Sequence, residues 1–371
     1  MTPDLDPGRA ARHASIRAAF DPPDGIYLDT ATYGLPPRAT TEALRAALAA
    51  WSAGSADWMA WDRRGEDARA AFGRLIGAPP GTIALQPAVS VAVAQVLAAL
   101  PFDDRTEILA PEGEFTSVLF PALASAGIGR LTVREVPLEA LAGEVRPSTA
   151  LVATSHVRSD DGRMVDLPAL RQAAGEAGAR ILLDGSHAAA VVPPDGAAWG
   201  VDYYVVAAYK WLLSPRGVAF LYVRPDRLEG IPPLAANWRA ADDPYGRYYG
   251  GPLTLAATAA RLDVSLAWHA WVGAATSLEF LAGLDPADRD AWSRGQATLL
   301  AGLLRVPAPP AAILSLRLAD GVDPGRIAQA GVRTAGRAGR TRVAPYLYNT
   351  PDEIETAARV LAPLLDRSGT P

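Results

Sequence analysis

Along the middle of the chain, short runs, most of them largely apolar, alternate with stretches whose apolar positions recur every three or four residues. The runs over 82–85, 107–110, 130–136, 150–155, 180–184, 203–207 and 218–223 are too short for helices, and they predict strands. The stretches over 89–100 and 167–177 predict helices between them. Alternation of this kind predicts an α/β fold with a mainly parallel central sheet covered on both faces. Sheets of that kind gather functional side chains at the carboxyl ends of their strands.

The flanks are patterned differently. Residues 1–24 predict a helical arm ended by Pro22-Pro23, followed by a strand over 25–29 and a loop over 33–37. Thr40 or Thr41 is placed to cap an alanine-rich helix running towards Trp51. Ala68, Ala71, Phe72 and Leu75 recur at helical spacing within 63–76. Beyond Pro252 the pattern predicts a long helix over 254–270, a strand over 313–318, a helix from Pro324, a strand over 342–348 and a helix over 351–365. Pro351 with Asp352 and Glu353 is a favourable helix start. The division expected is an arm (1–24), a large domain (25–252), and a linking helix with a small α+β domain (253–371).

Composition narrows the chemistry. Half of the 371 residues are hydrophobic and 20% are charged, as in a globular protein. A net charge of -5 argues against a nucleic-acid or anionic-lipid surface. With no cysteine and only four dispersed histidines, neither a disulfide nor a metal site is expected. The most apolar stretch, 83–100, is broken by Gln86, Pro87, Ser90 and Gln95, so no membrane span is expected. The polar N-terminus resembles no signal peptide, and a cytoplasmic protein is the expectation.

One residue changes the picture. Of 35 Lys and Arg residues a single one, Lys210, is lysine. Arginine cannot lose its proton in a protein, whereas a buried lysine can, and only a neutral primary amine forms a Schiff base. Lys210 follows the run 203–207, and Asp184 ends the run 180–184, one strand–helix–strand unit earlier. Adjacent parallel strands bring both to one sheet edge, either as a plain ion pair or as the lysine and pyridinium partner of pyridoxal phosphate. Ala88, Val89 and Ser90 open a helix after a strand, a place where free N–H groups bind phosphate. Phe115 can stack on a planar ring, and His156 and His187 each follow a strand end.

Taken together, Asp184-Gly185-Ser186-His187, the run from Ser155 to Met164, Tyr209-Lys210-Trp211 and the run from Arg342 to Thr350 resemble the aminotransferase class V family of fold type I pyridoxal phosphate enzymes, which includes kynureninase and the cysteine desulfurases. The resemblance implies Lys210 as the Schiff-base lysine, Asp184 on the pyridine nitrogen, Phe115 over the ring, and His187 near the phenolic oxygen. It implies Ala88, Val89, Ser90, Tyr209 and Trp238 around the phosphate, with Gly251 in a loop that reaches the partner's phosphate. Arg342 is implied as the grip on the substrate α-carboxylate, with His156 and Ser159 beside it. Ser159 replaces a frequent asparagine, and Gly250-Gly251-Pro252 lacks a threonine hydroxyl usual in that loop. A homodimer with the site at its interface is implied as well.

The reaction expected is transamination of a small-molecule amino acid. A β-eliminating C–S lyase or an epimerase is the alternative, and a non-catalytic, cofactor-binding regulatory protein is the alternative of another class. Without cysteine the chain cannot pass sulfur through a cysteine persulfide. Arg158, Arg239, Arg247, Trp58 and Trp61 are candidates for side-chain recognition.

Overall fold

The computed structural model describes residues 7–100, 105–129, 131–194, 197–246 and 248–366. The chain begins with α1 (Pro7–Arg17), β1 (Ile26–Tyr27), α2 (Arg38–Ser52) and α3 (Trp58–Ile76). α3 starts where the Asp57 carboxylate accepts the Ala60 N–H at 3.0 Å, and it stops at left-handed Gly77. No side chain caps α2, since Thr41 bonds back to Arg38 and Thr40 is buried against Ser277.

The alternating segment then runs β2 (Ile83–Gln86), α4 (Val89–Ala98), β3 (Glu107–Pro111), α5 (Thr116–Gly127), β4 (Thr132–Val136), β5 (Thr149–Ser155), α6 (Leu167–Ala177), β6 (Arg180–Asp184), β7 (Tyr203–Ala207) and β8 (Ala219–Val223). These strands form one sheet in the order β2-β8-β7-β6-β5-β3-β4. β8 is antiparallel to both neighbours, so β2 points the same way as β7 and the other parallel strands. Successive residues alternate between two cores: Tyr204 and Val206 pack on one side, Tyr203, Val205 and Ala207 on the other. That double burial is what the apolar runs of the inner strands required, whereas β4, at the edge, is mixed in composition and half-exposed. In register, Ser155 pairs with Asp184, and Asp184 with Val205, which brings three strand ends to one edge.

The remainder comprises α7 (Trp268–Ala282), α8 (Pro286–Leu304), β9 (Leu314–Leu316), α9 (Gly325–Gln329), β10 (Val332–Arg333), β11 (Ala335–Arg337), β12 (Arg340–Val343) and α10 (Pro351–Leu361). β11, β12 and β9 form a small antiparallel sheet backed by α8 and α10 through a third core, to which Leu28 contributes. β1 pairs in parallel with β10, so the start of the chain is bound to this C-terminal body.

Three expected elements differ. The helix predicted over 254–270 is not formed. A 3-10 turn capped by Thr258 stands at Ala259–Leu262, and Asp263 is drawn out of helical geometry into a buried ion cluster. Its carboxylate accepts from Leu85 N–H at 2.8 Å and from both Arg69 and Arg239. The strand predicted over 342–348 ends at Val343, because the next segment turns so that Tyr346 N–H reaches Asn349 Oδ1 at 2.9 Å. The arm helix stops at Arg17, short of the two prolines, and residues 1–6 of that arm lie outside the described residues. α10 starts at Pro351 as expected, with a reciprocal cap between Thr350 and Glu353.

Candidate active site

Lys210 sits just beyond β7 on a tight turn held by Leu213 N–H to Lys210 O (3.1 Å) and Ser214 N–H to Ala208 O (3.1 Å). The turn lays the side chain across the strand ends, and only 6% of the residue is exposed. Its Nζ lies 3.0 Å from His187 Nε2 and 5.1 Å from the centre of the Phe115 ring. Asp184, at the end of β6, is buried and accepts the Ser186 N–H at 2.8 Å. Between them Gly185 has to be glycine, because a Cβ there would overlap the Tyr204 ring and hydroxyl. Ser186 Oγ accepts the Ala207 N–H at 2.9 Å, which ties the turn after β6 to the end of β7.

Burial dominates the electrostatics. It lowers the Lys210 ammonium from 10.5 to about 8, against the opposing pull of the Asp184 carboxylate. It raises Asp184, which Lys210 and the Ser186 N–H hold back down. His187 is pushed well below 6.5 by burial first and then by Lys210, Arg342 and Arg337. Glu114 is buried behind Phe115 and raised by desolvation, although Ser155 donates to it through its N–H at 2.8 Å and its hydroxyl.

Opposite the lysine, Ala88, Val89 and Ser90 line the same cavity as Asp184, Ser186, Tyr209, Lys210 and Phe115. No side chain caps α4, so the N–H groups of its first turn are left for a ligand. Arg216 lines this cavity too, its guanidinium 5.4 Å from the centre of the Tyr209 ring. Sequence pattern gave no hint of it, since one arginine among 34 carries no signal.

A second cluster joins the chain's early and late segments. Arg342, on β12, donates to Thr32 Oγ1 at 2.6 Å and to the Ser159 carbonyl at 2.7 Å. The Asp29 carboxylate stands 3.5 Å away, and Arg342 Nε is buried with no partner among the described residues. Burial lowers the Arg342 guanidinium to about 10, helped by Arg337, which donates to the same Thr32 hydroxyl at 3.0 Å. Asp29, Thr32 and Gly34 were not singled out from the sequence. The sole clue was that 33–37 is a loop next to a strand.

Other residues singled out lie elsewhere. His156 is buried with its ring edge on Trp199, and its Nδ1 has no partner among the described residues. Trp238, Trp58, Trp268 and Tyr248 pack on one another, outside the cavity around Lys210. Gly251 is exposed. Trp61 packs on His269. Arg239 is bound by Asp62, Glu66 and Asp263, and Arg158 by Asp160 and the carbonyls of Glu112 and Gly113. Arg247 lies outside the described residues. Two larger hollows, about 1010 and 900 Å³, lie along β10–β12 and along α8, away from Lys210 and Asp184. Among the described residues no group of acidic or histidine side chains could hold a metal ion, and no helix is long and apolar enough to cross a membrane.

The chain is similar to known proteins in sequence and in fold. Residues 26–304 match the family model described as aminotransferase class-V. The chain is 27% identical over 327 residues to an uncharacterized aminotransferase, YcbU, of Bacillus subtilis, covering 82% of this chain and 85% of that one. It is 32% identical to the isopenicillin N epimerase of Streptomyces clavuligerus over 48% of each chain. In fold it is similar to the cystine C-S lyase C-DES, with a TM-score of 0.82 and 21% identity over 92% of this chain and 98% of that one.

Proposed function

The chain belongs to the aminotransferase class-V family of pyridoxal 5'-phosphate enzymes, and on that premise we propose that it is an amino-acid aminotransferase whose site is built around Lys210. The observation that carries this is a single buried amine, lowered to about 8, lying beyond the strand next to that of a buried aspartate.

The residues fit the cofactor. An uncapped helix start suits its phosphate, with the Ser90 hydroxyl and Arg216 beside it. Asp184 suits the pyridine nitrogen, Phe115 the ring face and His187 the phenolic oxygen. When bound, pyridoxal 5'-phosphate supplies an aldehyde for amine capture and a ring that withdraws electrons from the substrate's Cα. The protein's part is to steer that chemistry. Asp184 keeps a proton on the ring nitrogen, a charge-assisted contact worth on the order of 1.5–3 kcal/mol. Arg342 offers its guanidinium fork to the α-carboxylate and so fixes Cα in front of Lys210. With the cofactor bound, Lys210 would hold it, and the Lys210 amine, when free, would take and redeliver the proton at the substrate's Cα. Where Lys210 would deliver that proton is what separates transamination from β-elimination or epimerisation. In the proposed assembly, Gly251 reaches the partner's site in a homodimer, while Trp238 packs on Trp58 and Tyr248, outside the cavity around Lys210.

Borohydride reduction followed by peptide mapping should place the cofactor on the peptide holding Lys210; a protein left untagged there loses this reading. A keto acid formed together with pyridoxamine phosphate identifies the transaminase. Ammonia released with a keto acid identifies a β-eliminating lyase instead, and an inverted amino acid an epimerase.

A further inference from the structure

Trp211 follows the site lysine directly, and its indole Nε1–H donates to His187 Nδ1 at 3.0 Å. An indole N–H can only donate. Nδ1 therefore presents a lone pair, which rules out the imidazolium form, with its proton on each nitrogen. A neutral ring with a bare Nδ1 carries its proton on Nε2, the atom 3.0 Å from Lys210 Nζ. That N–H needs an acceptor, and an amine accepts only when unprotonated. We infer that Trp211 is a positioning residue: its indole locks His187 in the Nε2–H tautomer and, through it, biases Lys210 away from the ammonium and towards the free amine.

The surroundings are consistent with this. Trp211 is fully buried and further fixed by its own carbonyl, which accepts the Tyr346 hydroxyl at 3.0 Å. His187 is buried too, so water does not compete for either ring nitrogen. The charged groups acting on the pair are Asp184, which favours an ammonium, and Arg337 and Arg342, which oppose one. Had Nδ1 been left without a donor, the ring could carry its proton there and accept from an ammonium through Nε2. The indole removes that option. The inference deepens the proposed function, in which the free amine captures an aldehyde, but the tautomer itself does not depend on it.

The chain's composition makes the test direct, because it holds four histidines and one lysine. In the full-length protein stripped of cofactor and labelled with ¹⁵N-histidine, the His187 signals, identified by their loss in His187→Gln, should show a protonated Nε2 and a bare Nδ1 across the neutral range. Trp211→Phe keeps the apolar bulk and removes the donor. It should release the tautomer, and the single ε-¹³C lysine signal should titrate higher by roughly one pH unit. A protonated Nδ1 in the wild type overturns the inference, as does a Trp211→Phe variant with unchanged histidine and lysine signals. Should that variant not fold, the wild-type spectrum decides alone. Borohydride tagging is scored separately, so a correct tautomer without a tag counts against the cofactor reading only, and a tag with Nδ1–H against the tautomer lock only.

Discussion

Gly34 lies directly against the backbone of Lys210. Its N–H donates to the Tyr209 carbonyl at 3.0 Å, and a Cβ at this position would overlap the Lys210 carbonyl oxygen and the Leu213 side chain. The loop that carries Asp29 and Thr32 to Arg342 is thus pinned to the lysine turn at a point where only glycine fits. Gly34→Ala must push the two apart, at a cost of about 1–3 kcal/mol by analogy with overpacked cores. A urea midpoint should fall accordingly, and KM should rise more than kcat falls, since Thr32 moves with the loop. A variant matching wild type on both counts would mean the loop is free to shift.

Asp184→Asn keeps the shape and still offers an oxygen to Ser186 N–H, but it removes the charge. The loss of a charge-assisted contact predicts a fall in kcat of roughly 10- to 160-fold, with the borohydride tag on Lys210 retained. Steady-state rates combined with peptide mapping check this. Unchanged kcat would deny the aspartate its role at the ring nitrogen.

Arg342→Met should lower kcat/KM by roughly 10- to 160-fold for amino acids. For amines of the same side chain without a carboxylate the variant and the wild type should agree within a few-fold. Comparing the two substrate series measures the carboxylate grip itself. Equal losses in both would assign Arg342 to holding the two ends of the chain together instead.

Stability should decline on the acid side. Burial lowers His13, stacked on Trp292, and His156, against Trp199, from 6.5 to about 4. Between those values the unfolded chain binds protons that the folded one refuses, so the contribution is full above 6.5 and lost as pH falls towards 4. The buried carboxylates Glu114 and Asp184 are shifted up and offset part of this. Denaturant midpoints measured across that range should drop, and less so in His156→Phe, whose ring does not titrate. Equal slopes in both proteins would show that His156 is protonated in the folded state as readily as in the unfolded one.

Asp263→Ala leaves two buried guanidiniums, Arg69 and Arg239, and the Leu85 N–H without their shared acceptor. Breaking a buried ion pair from one side costs about 3–5 kcal/mol, and chemical denaturation should register a loss of that order. A loss below about 1 kcal/mol would mean that Glu66 and Asp62 suffice for both arginines.

By itself, the sequence determined what depends on short-range pattern. The apolar runs specified strands because double burial leaves no polar face to alternate, and helical stretches between them required parallel neighbours. From there Lys210, Asp184, Phe115 and residues 88–90 fell at one sheet edge as a matter of register. The lone lysine stood out in a composition that otherwise uses arginine, and it lies buried at that edge. Only the tertiary structure decided what depends on contacts between distant segments. Arg342 meets Thr32 and Asp29 across more than 300 residues, Trp211 points its N–H at His187, and Arg216 lines the cavity of a turn formed over 100 residues earlier. The helix expected over 254–270 failed for the same reason: its local spacing was sound, but Asp263 is held by two arginines from elsewhere, and a buried ion cluster outweighs helix propensity.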